Sequence, residues 1–314
     1  MKNRLIGFLF IIYLSVNPVW AQERIVFTPQ WTAQAEFTGY YVAKEKGFYK
    51  EVGLDVEIIH PTLAQPVVDR ILNGDCHATT LQLCQAMELI DKGVSLVNVL
   101  QTSMNEGLVI LSARGKNLFS QKGARIAVAN TGFTHLAMSI CEKEGFDFQW
   151  IPAARTVNLY LAGAVDAILG MSFNELYVLR QSGVELPESS LYRFSDHGYN
   201  IQGEGVYMTY DYYSKHRKEA RNFAQASRRG WEWAAQHPDE AIEIVSKYIK
   251  ASRIATNREL QRLMLKEILR LQIDRETGKR EFKLRPAMVK RASQLMVEGG
   301  MLSREIGYLE LIER

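Results

Sequence analysis

Apolar and polar positions alternate between two periods along this chain. Residues 24–28 form a short β-branched run, broken by Pro29, Gln30, Trp31 and Thr32. Phe37, Tyr40, Tyr41, Lys44 and Phe48 then recur at helical spacing, with Gly47 placed to end the helix. Residues 54–59 return to a strand pattern. A strand–helix–strand unit this short predicts a right-handed parallel crossover. Helices are then expected at 65–72 and 81–91, and strands at 77–80, 95–100 and 107–112. The pattern restarts at 125–129, a strand followed by a loop and a helix at 135–143. Strands at 149–152 and 167–170 and helices at 157–163 and 173–182 follow. The last third reads as helices at 214–236, 239–249, 257–271 and 285–298, the last stopped by Gly299 and Gly300. No fixed repeat period is visible.

The first residues follow a different logic. Lys2 and Arg4 precede an almost wholly apolar run over 5–16, and Val19-Trp20-Ala21 offers a cut before Gln22. That is the layout of a secretory signal peptide, in an apolar run short for a membrane span. Retention of the segment as an anchor is the alternative. With 38 Lys and Arg against 35 Asp and Glu, nothing points to nucleic acid. Cys76, Cys84 and Cys141 are an odd count with no C-x-x-C. A Cys76–Cys84 bridge is conceivable in an exported protein, but apolar neighbours favour buried thiols.

The opening unit also carries a resemblance. An aromatic after the first strand, followed by G-Y-Y-V-A-K-E-K-G-F-Y-K-E-V-G-L-D-V, resembles periplasmic solute-binding proteins of the taurine/alkanesulfonate and thiamine-pyrimidine-precursor group. That superfamily includes the fungal thiamine pyrimidine synthases. The segment N-G-D-C-H-A-T-T is similar to another element of the group, with Cys76-His77 in place of the usual small residue and Asp. The C-terminal R-x-F-x-x-A-x-x-x-G-x-x-x-A-x-x-H-P-x-E-A run extends the likeness over nearly the whole chain after residue 21.

The resemblance implies an α/β fold, the two-lobed periplasmic-binding-protein clamshell of type II, each lobe a mixed sheet flanked by helices. Residues 1–21 would be the signal peptide. Residues 22–110 with 205–314 would form one lobe bearing the C-terminal helices, and 111–204 the other. The partners implied are a small-molecule ligand and an ABC permease or a membrane sensor. A periplasmic monomer without nucleic acid, metal or cofactor is expected.

Chemistry then rests on the loops, expected at 29–36, 79–82, 101–106, 130–134, 151–155, 171–175 and 197–204. They hold one basic side chain, Arg155, against four carboxylates, Glu36, Glu106, Glu175 and Glu204. Trp31, Phe133, Phe173 and Tyr199 supply aromatic faces. A sulfonate or phosphate site calls for Arg or Lys forks or bare helix N-termini. This balance favours a flat, nitrogen-rich, neutral or cationic ring, held between aromatics, its amino hydrogens accepted by a carboxylate. A formylaminopyrimidine-like thiamine precursor fits. The candidate ligand-binding residues are Gln30, Trp31, Gln101, Asn130, Phe133, Phe173, Asn174, Glu175, Tyr199 and Glu204. Trp31 could equally cap the core, and Glu175 could simply complement a helix dipole.

No G-x-S-x-G, papain-like cysteine context or G-x-x-x-x-G-K is present, so no catalytic residue is assigned. His60, His77, His135 and His197 have no partner at metal-ligand spacing. The synthases' Lys, His and cysteine cluster correspond here to Thr80-Leu81-Gln82-Leu83-Cys84-Gln85 and to residues 198–205, which lack them. A solute-binding protein of an importer is therefore the expected function. A synthase-like enzyme, a sensory domain and a sulfonate binder are the alternatives. Exported protein should begin at Gln22 by intact mass; a species retaining Met1 in the membrane fraction would instead identify an anchor.

Overall fold

Residue 23 begins the first of ten strands found among the described residues, which are 22–112, 118–129, 132–153 and 156–312 of a computed structural model. The expected signal segment lies outside them. Strand β1 (Glu23–Thr28) pairs in parallel with β2 (Leu54–Ile58) and with β3 (Ala78–Gln82). Its last four residues are buried, which is why it reads as a continuous apolar run. Strand β4 (Leu96–Gln101) completes the local set, and the chain then leaves this sheet.

The second sheet holds β5 (Leu108–Ser112), β6 (Ala124–Ala129), β7 (Phe148–Ala153), β8 (Ala167–Met171) and β9 (Leu191–Arg193). Strand β6 runs parallel to β7 and β8, whereas β5 is antiparallel to β8 and β9. The chain then returns as β10 (Glu204–Thr209), antiparallel between β3 and β4. Two mixed five-stranded sheets result, ordered β2-β1-β3-β10-β4 and β7-β6-β8-β5-β9.

Several local readings shift. The first crossing precedes Leu108 rather than falling at 110, because β5 pairs along its whole length within the second sheet. The strand expected at 77–80 runs on to Gln82, and the next helix starts at Leu83, where the Gln85 carboxamide accepts from the Gln82 N–H at 3.1 Å. The helix expected at 214–236 is two, Tyr210–Lys215 and Arg217–Gln236, broken at His216. Strands β9 and β10 were not expected. Residue 204 closes a stretch read as loop, since three glycines among 198–205 mask the strand pattern. All three cysteines are buried free thiols. No helix among the described residues is long and apolar enough to cross a membrane.

The core of the first sheet is organised by one helix crossing. Helix Thr38–Glu45 lies against Arg217–Gln236, and Gly39 and Gly230 let the backbones meet. A Cβ on Gly230 would sit 1.9 Å from the Gly39 carbonyl oxygen, and one on Gly39 would sit 2.3 Å from the Trp231 ring. Phe27, Tyr40, Phe223 and Trp231 fill the space beneath. Phe27 packs 4.6 Å from Tyr40 and 5.3 Å from Phe223, and Tyr40 meets Trp231 edge-on at 5.8 Å. Helix Arg258–Leu271 reaches both halves. The Gln261 carboxamide oxygen accepts from the Ala35 N–H at 2.7 Å, and Glu267 accepts from the Ser172 hydroxyl at 2.7 Å.

Gly230→Ala gains about 1 kcal/mol of helix propensity but forces a methyl against a carbonyl that cannot swing away. The expected net result is a loss of about 2 kcal/mol in chemical denaturation, against a gain for an unstrained Gly→Ala change.

Candidate binding cleft

The loop after β1 is held from three sides. The Gln30 N–H donates to Thr80 Oγ1 at 2.9 Å, tying the loop to β3. One turn on, His60 Nδ1 lies 2.6 Å from the Trp31 carbonyl oxygen and Nε2 lies 2.8 Å from the Tyr41 hydroxyl. A carbonyl only accepts, so Nδ1 carries the hydrogen and Nε2 accepts from Tyr41. Burial lowers the His60 pKa and keeps the ring in this neutral form. The third hold is the Ala35–Phe37 turn, fastened to Gln261.

That loop faces the end of β8 across a cavity of about 100 Å³. For scale, an engineered cavity of about 150 Å³ in another protein accepts benzene. Gln30, Trp31, Gln34 and Glu36 form one wall, and Met171, Phe173, Asn174 and Glu175 the other. Gln82, Ala129 and Gly170 contribute from the carboxyl ends of β3, β6 and β8, where open α/β sheets hold ligands. A second space of about 20 Å³ shares Glu36, Gln82, Met171 and Phe173 with the first, and adds Glu204, Thr102 and residues of the C-terminal helices.

Glu36 and Glu204 are buried, at 6% and 7% exposure. One carboxamide serves both: Gln30 Nε2 donates to Glu204 Oε2 at 2.7 Å and to Glu36 Oε1 at 3.3 Å. Gln34 donates to the other Glu36 oxygen, and the Thr102 hydroxyl to Glu204 Oε1 at 3.3 Å. Glu175 is half-buried. It folds back over Gly170, where a Cβ would stand 2.7 Å from its Cγ. Its oxygens accept from the Met171 N–H at 2.7 Å and from Asn174 Nδ2 at 2.8 Å.

Burial pushes all three carboxyl groups upward. Glu36 rises to about 7, with its amide donors opposing burial and the Glu175 charge adding to it. Glu204 rises well above the usual range, through burial first and the Glu36 charge second. Glu175 also rises by burial, against the pull of its N–H donors. Among the described residues, no Lys or Arg lines either space or pairs with these three groups. Arg155 lies outside the described residues. The fourth loop carboxylate, Glu106, is spent inside the crossing turn, accepting from the N–H groups of Gly107 at 2.7 Å and Leu108 at 3.0 Å.

Of the residues singled out by sequence, Gln30, Trp31, Phe173, Asn174 and Glu175 line the larger space, and Phe173 and Glu204 the smaller. Gln101 lines neither. It is fully buried, and its amide donates to the carbonyls of Ser103, Gly203 and Glu204, holding the backbone beneath Glu204. Tyr199 also lines neither; its hydroxyl donates to Glu144. Asn130 and the Phe133 side chain lie outside the described residues. Glu36 was visible only as one loop carboxylate among four. Gln34, Gln82 and Thr102 carried no distinguishing signal, being polar residues at strand or loop ends. No cluster of three or more His, Cys, Asp or Glu suited to a metal occurs among the described residues.

A family model described as NMT1/THI5 like matches residues 34–241. A formylaminopyrimidine-binding protein of Halalkalibacterium halodurans is 25% identical over 239 residues, 72% of this chain and 70% of that protein. A putative thiamine biosynthesis protein of Haemophilus influenzae is 24% identical over 266 residues, 79% of this chain and 81% of that one. Among solved structures, the periplasmic aliphatic sulphonate binding protein of Escherichia coli superposes with a TM-score of 0.65 at 14% identity. That match covers 93% of this chain and 92% of the other, and it places the fold among periplasmic binding proteins.

The raised carboxyl groups carry a consequence for stability. Between the ordinary carboxyl value of 4.5 and about 7, folded Glu36 retains a proton that the unfolded chain releases. Stability therefore falls as pH rises through that window. Ligand-free protein should melt higher at pH 5 than at pH 8 through this group. Glu36→Gln should flatten the slope and stabilise the protein at pH 8 by on the order of 2 kcal/mol, read from melting curves of both proteins.

Proposed function

The chain belongs to the NMT1/THI5-like family, and on that premise we propose that it is an extracytoplasmic solute-binding protein that captures a thiamine-precursor pyrimidine. It reaches the periplasm through its N-terminal signal, binds as a monomer without catalysis or cofactor, and delivers its ligand to an ABC permease. The two sheets, each with its helices, act as lobes that close on the ligand, the closed form being selected by its higher affinity.

The observation that carries the reading is the set of three carboxyl groups bordering two spaces that share a wall, Glu36 and Glu175 the larger and Glu36 and Glu204 the smaller, with no cation among the described residues to match them. Buried carboxyl groups with polar donors but no cation remain costly to ionise unless a ligand supplies further hydrogen bonds or positive charge. An aminopyrimidine supplies both. Its amino group donates two hydrogens, and its weakly basic ring nitrogen can share a proton with a carboxyl group already raised toward neutrality. Trp31 and Phe173 offer faces and edges to the ring. An anionic sulfonate entering the same space would find no cation among the described residues lining it, and would oppose ionisation of the carboxyl groups there. The name of the Halalkalibacterium relative supports the same ligand class.

Titration calorimetry with a formylaminopyrimidine and with taurine tests this. Wild-type protein should bind the pyrimidine and not taurine. Removing one charge-assisted acceptor typically costs about 1.5–3 kcal/mol, so Glu36→Gln should weaken pyrimidine binding roughly tenfold to more than a hundredfold. Trp31→Ala should weaken it to a similar degree by removing ring contact and buried area. Binding of taurine alone, tightened by Glu36→Gln, would overturn the pyrimidine assignment in favour of a sulfonate.

A further inference from the structure

The smaller space beside the proposed ring site has two polar groups outside the hydrogen-bond network of the carboxyl groups. Trp231 and Gln272 both line it, and both are buried, at 0% and 1% exposure. Trp231 Nε1 and Gln272 Nε2 are each buried without a hydrogen-bond partner. Trp231 Nε1 faces the Tyr40 hydroxyl without reaching hydrogen-bond geometry. The other end of the Gln272 carboxamide is committed: its oxygen accepts from Arg280 Nε at 3.0 Å, which fixes the NH2 end as the free one. A buried N–H left without an acceptor costs about 1–3 kcal/mol. Two of them bordering one cavity describe a place for an acceptor.

The surroundings limit which acceptor. Glu36 and Glu204 also line this space and no Lys or Arg does among the described residues, so nothing there balances an anion and a neutral oxygen is preferred. Gly107, Met171, Phe173 and Leu271 give the rest of the wall an apolar character suited to a C–H group. The volume of about 20 Å³ admits one or two heavy atoms, since about 10–15 Å³ on this scale holds a single water. A carbonyl oxygen has two lone pairs for two donors. We propose that Trp231 and Gln272 form an inner subsite for the carbonyl of a one-carbon acyl group on the bound ring, and that they select the N-formyl ligand over its parent amine and over longer acyl homologues. This rests on the aminopyrimidine reading of the larger space.

The test compares three ligands that share one ring, the N-formyl compound, the free aminomethyl parent and the N-acetyl homologue, on wild-type protein and on Gln272→Glu. That substitution keeps an oxygen for Arg280 and replaces the free donor by an acceptor. Wild-type protein should prefer formyl to both others by about tenfold or more. Gln272→Glu should weaken the formyl compound by about tenfold while sparing the parent amine. In wild-type protein labelled with 15N-tryptophan, one indole N–H should move downfield on adding the formyl compound and stay in place with the parent amine. Trp231→Phe identifies that resonance. If the parent and formyl rings bind equally and no indole signal distinguishes them, the two donors serve a structural water and the inference fails, although the ring assignment stands. If no ligand of the series binds, both fall together.

Discussion

The contact between Gly39 and Gly230 sets the geometry on which the cleft depends. With no Cβ on either residue, helix Thr38–Glu45 can seat against Arg217–Gln236 at backbone contact. Glu36 lies in the turn that leads directly into the first of these helices, and Trp231 follows Gly230 in the second. The crossing therefore places a wall of the larger space and a wall of the smaller one in one step. A shift of the helices by one methyl group would move both.

Around that scaffold the protein holds carboxyl groups where water would ordinarily be needed. Amides and one hydroxyl, rather than cations, partner them: Gln30 and Gln34 for Glu36, Gln30 with the Thr102 hydroxyl for Glu204, Asn174 and a backbone N–H for Glu175. Amide donors lessen the desolvation cost without cancelling the charge. The outcome is a cleft poised to gain from a ligand that brings hydrogen-bond donors or a proton. Structural ion pairs sit elsewhere, as with Glu267, held between Arg270 at 2.7 Å and the Ser172 hydroxyl.

Helix Arg258–Leu271 ties this chemistry to the relation between the two sheets. At one end Gln261 grips the Ala35 N–H beside Glu36. Further along, Glu267 grips Ser172 beside Phe173. Gln272, capping the same helix, lines the inner space. One element thus touches both walls of the cleft, so the two walls cannot separate without breaking or stretching its hydrogen bonds.

The strand–helix–strand opening, the second α/β set and the C-terminal helices were legible in the sequence, because periodicity reports which face of an element is buried. Trp31, Phe173, Asn174 and Glu175 were legible as cleft residues for a related reason: they follow strands, and strand ends in such sheets converge. The charge balance of the loops likewise showed in composition alone. Tertiary structure decided the rest. Local pattern does not encode partners, so it could not show that β10 inserts between β3 and β4, or that Gln101 lies buried beneath Glu204 while Tyr199 turns to Glu144. Nor could it show that Glu36 and Glu204 meet through the Gln30 carboxamide. Trp231 and Gln272 read as an ordinary core aromatic and a helix cap. Only their placement beside a small cavity, with an N–H of each left without an acceptor, distinguishes them, and that is a property of three-dimensional packing between residues far apart in the chain.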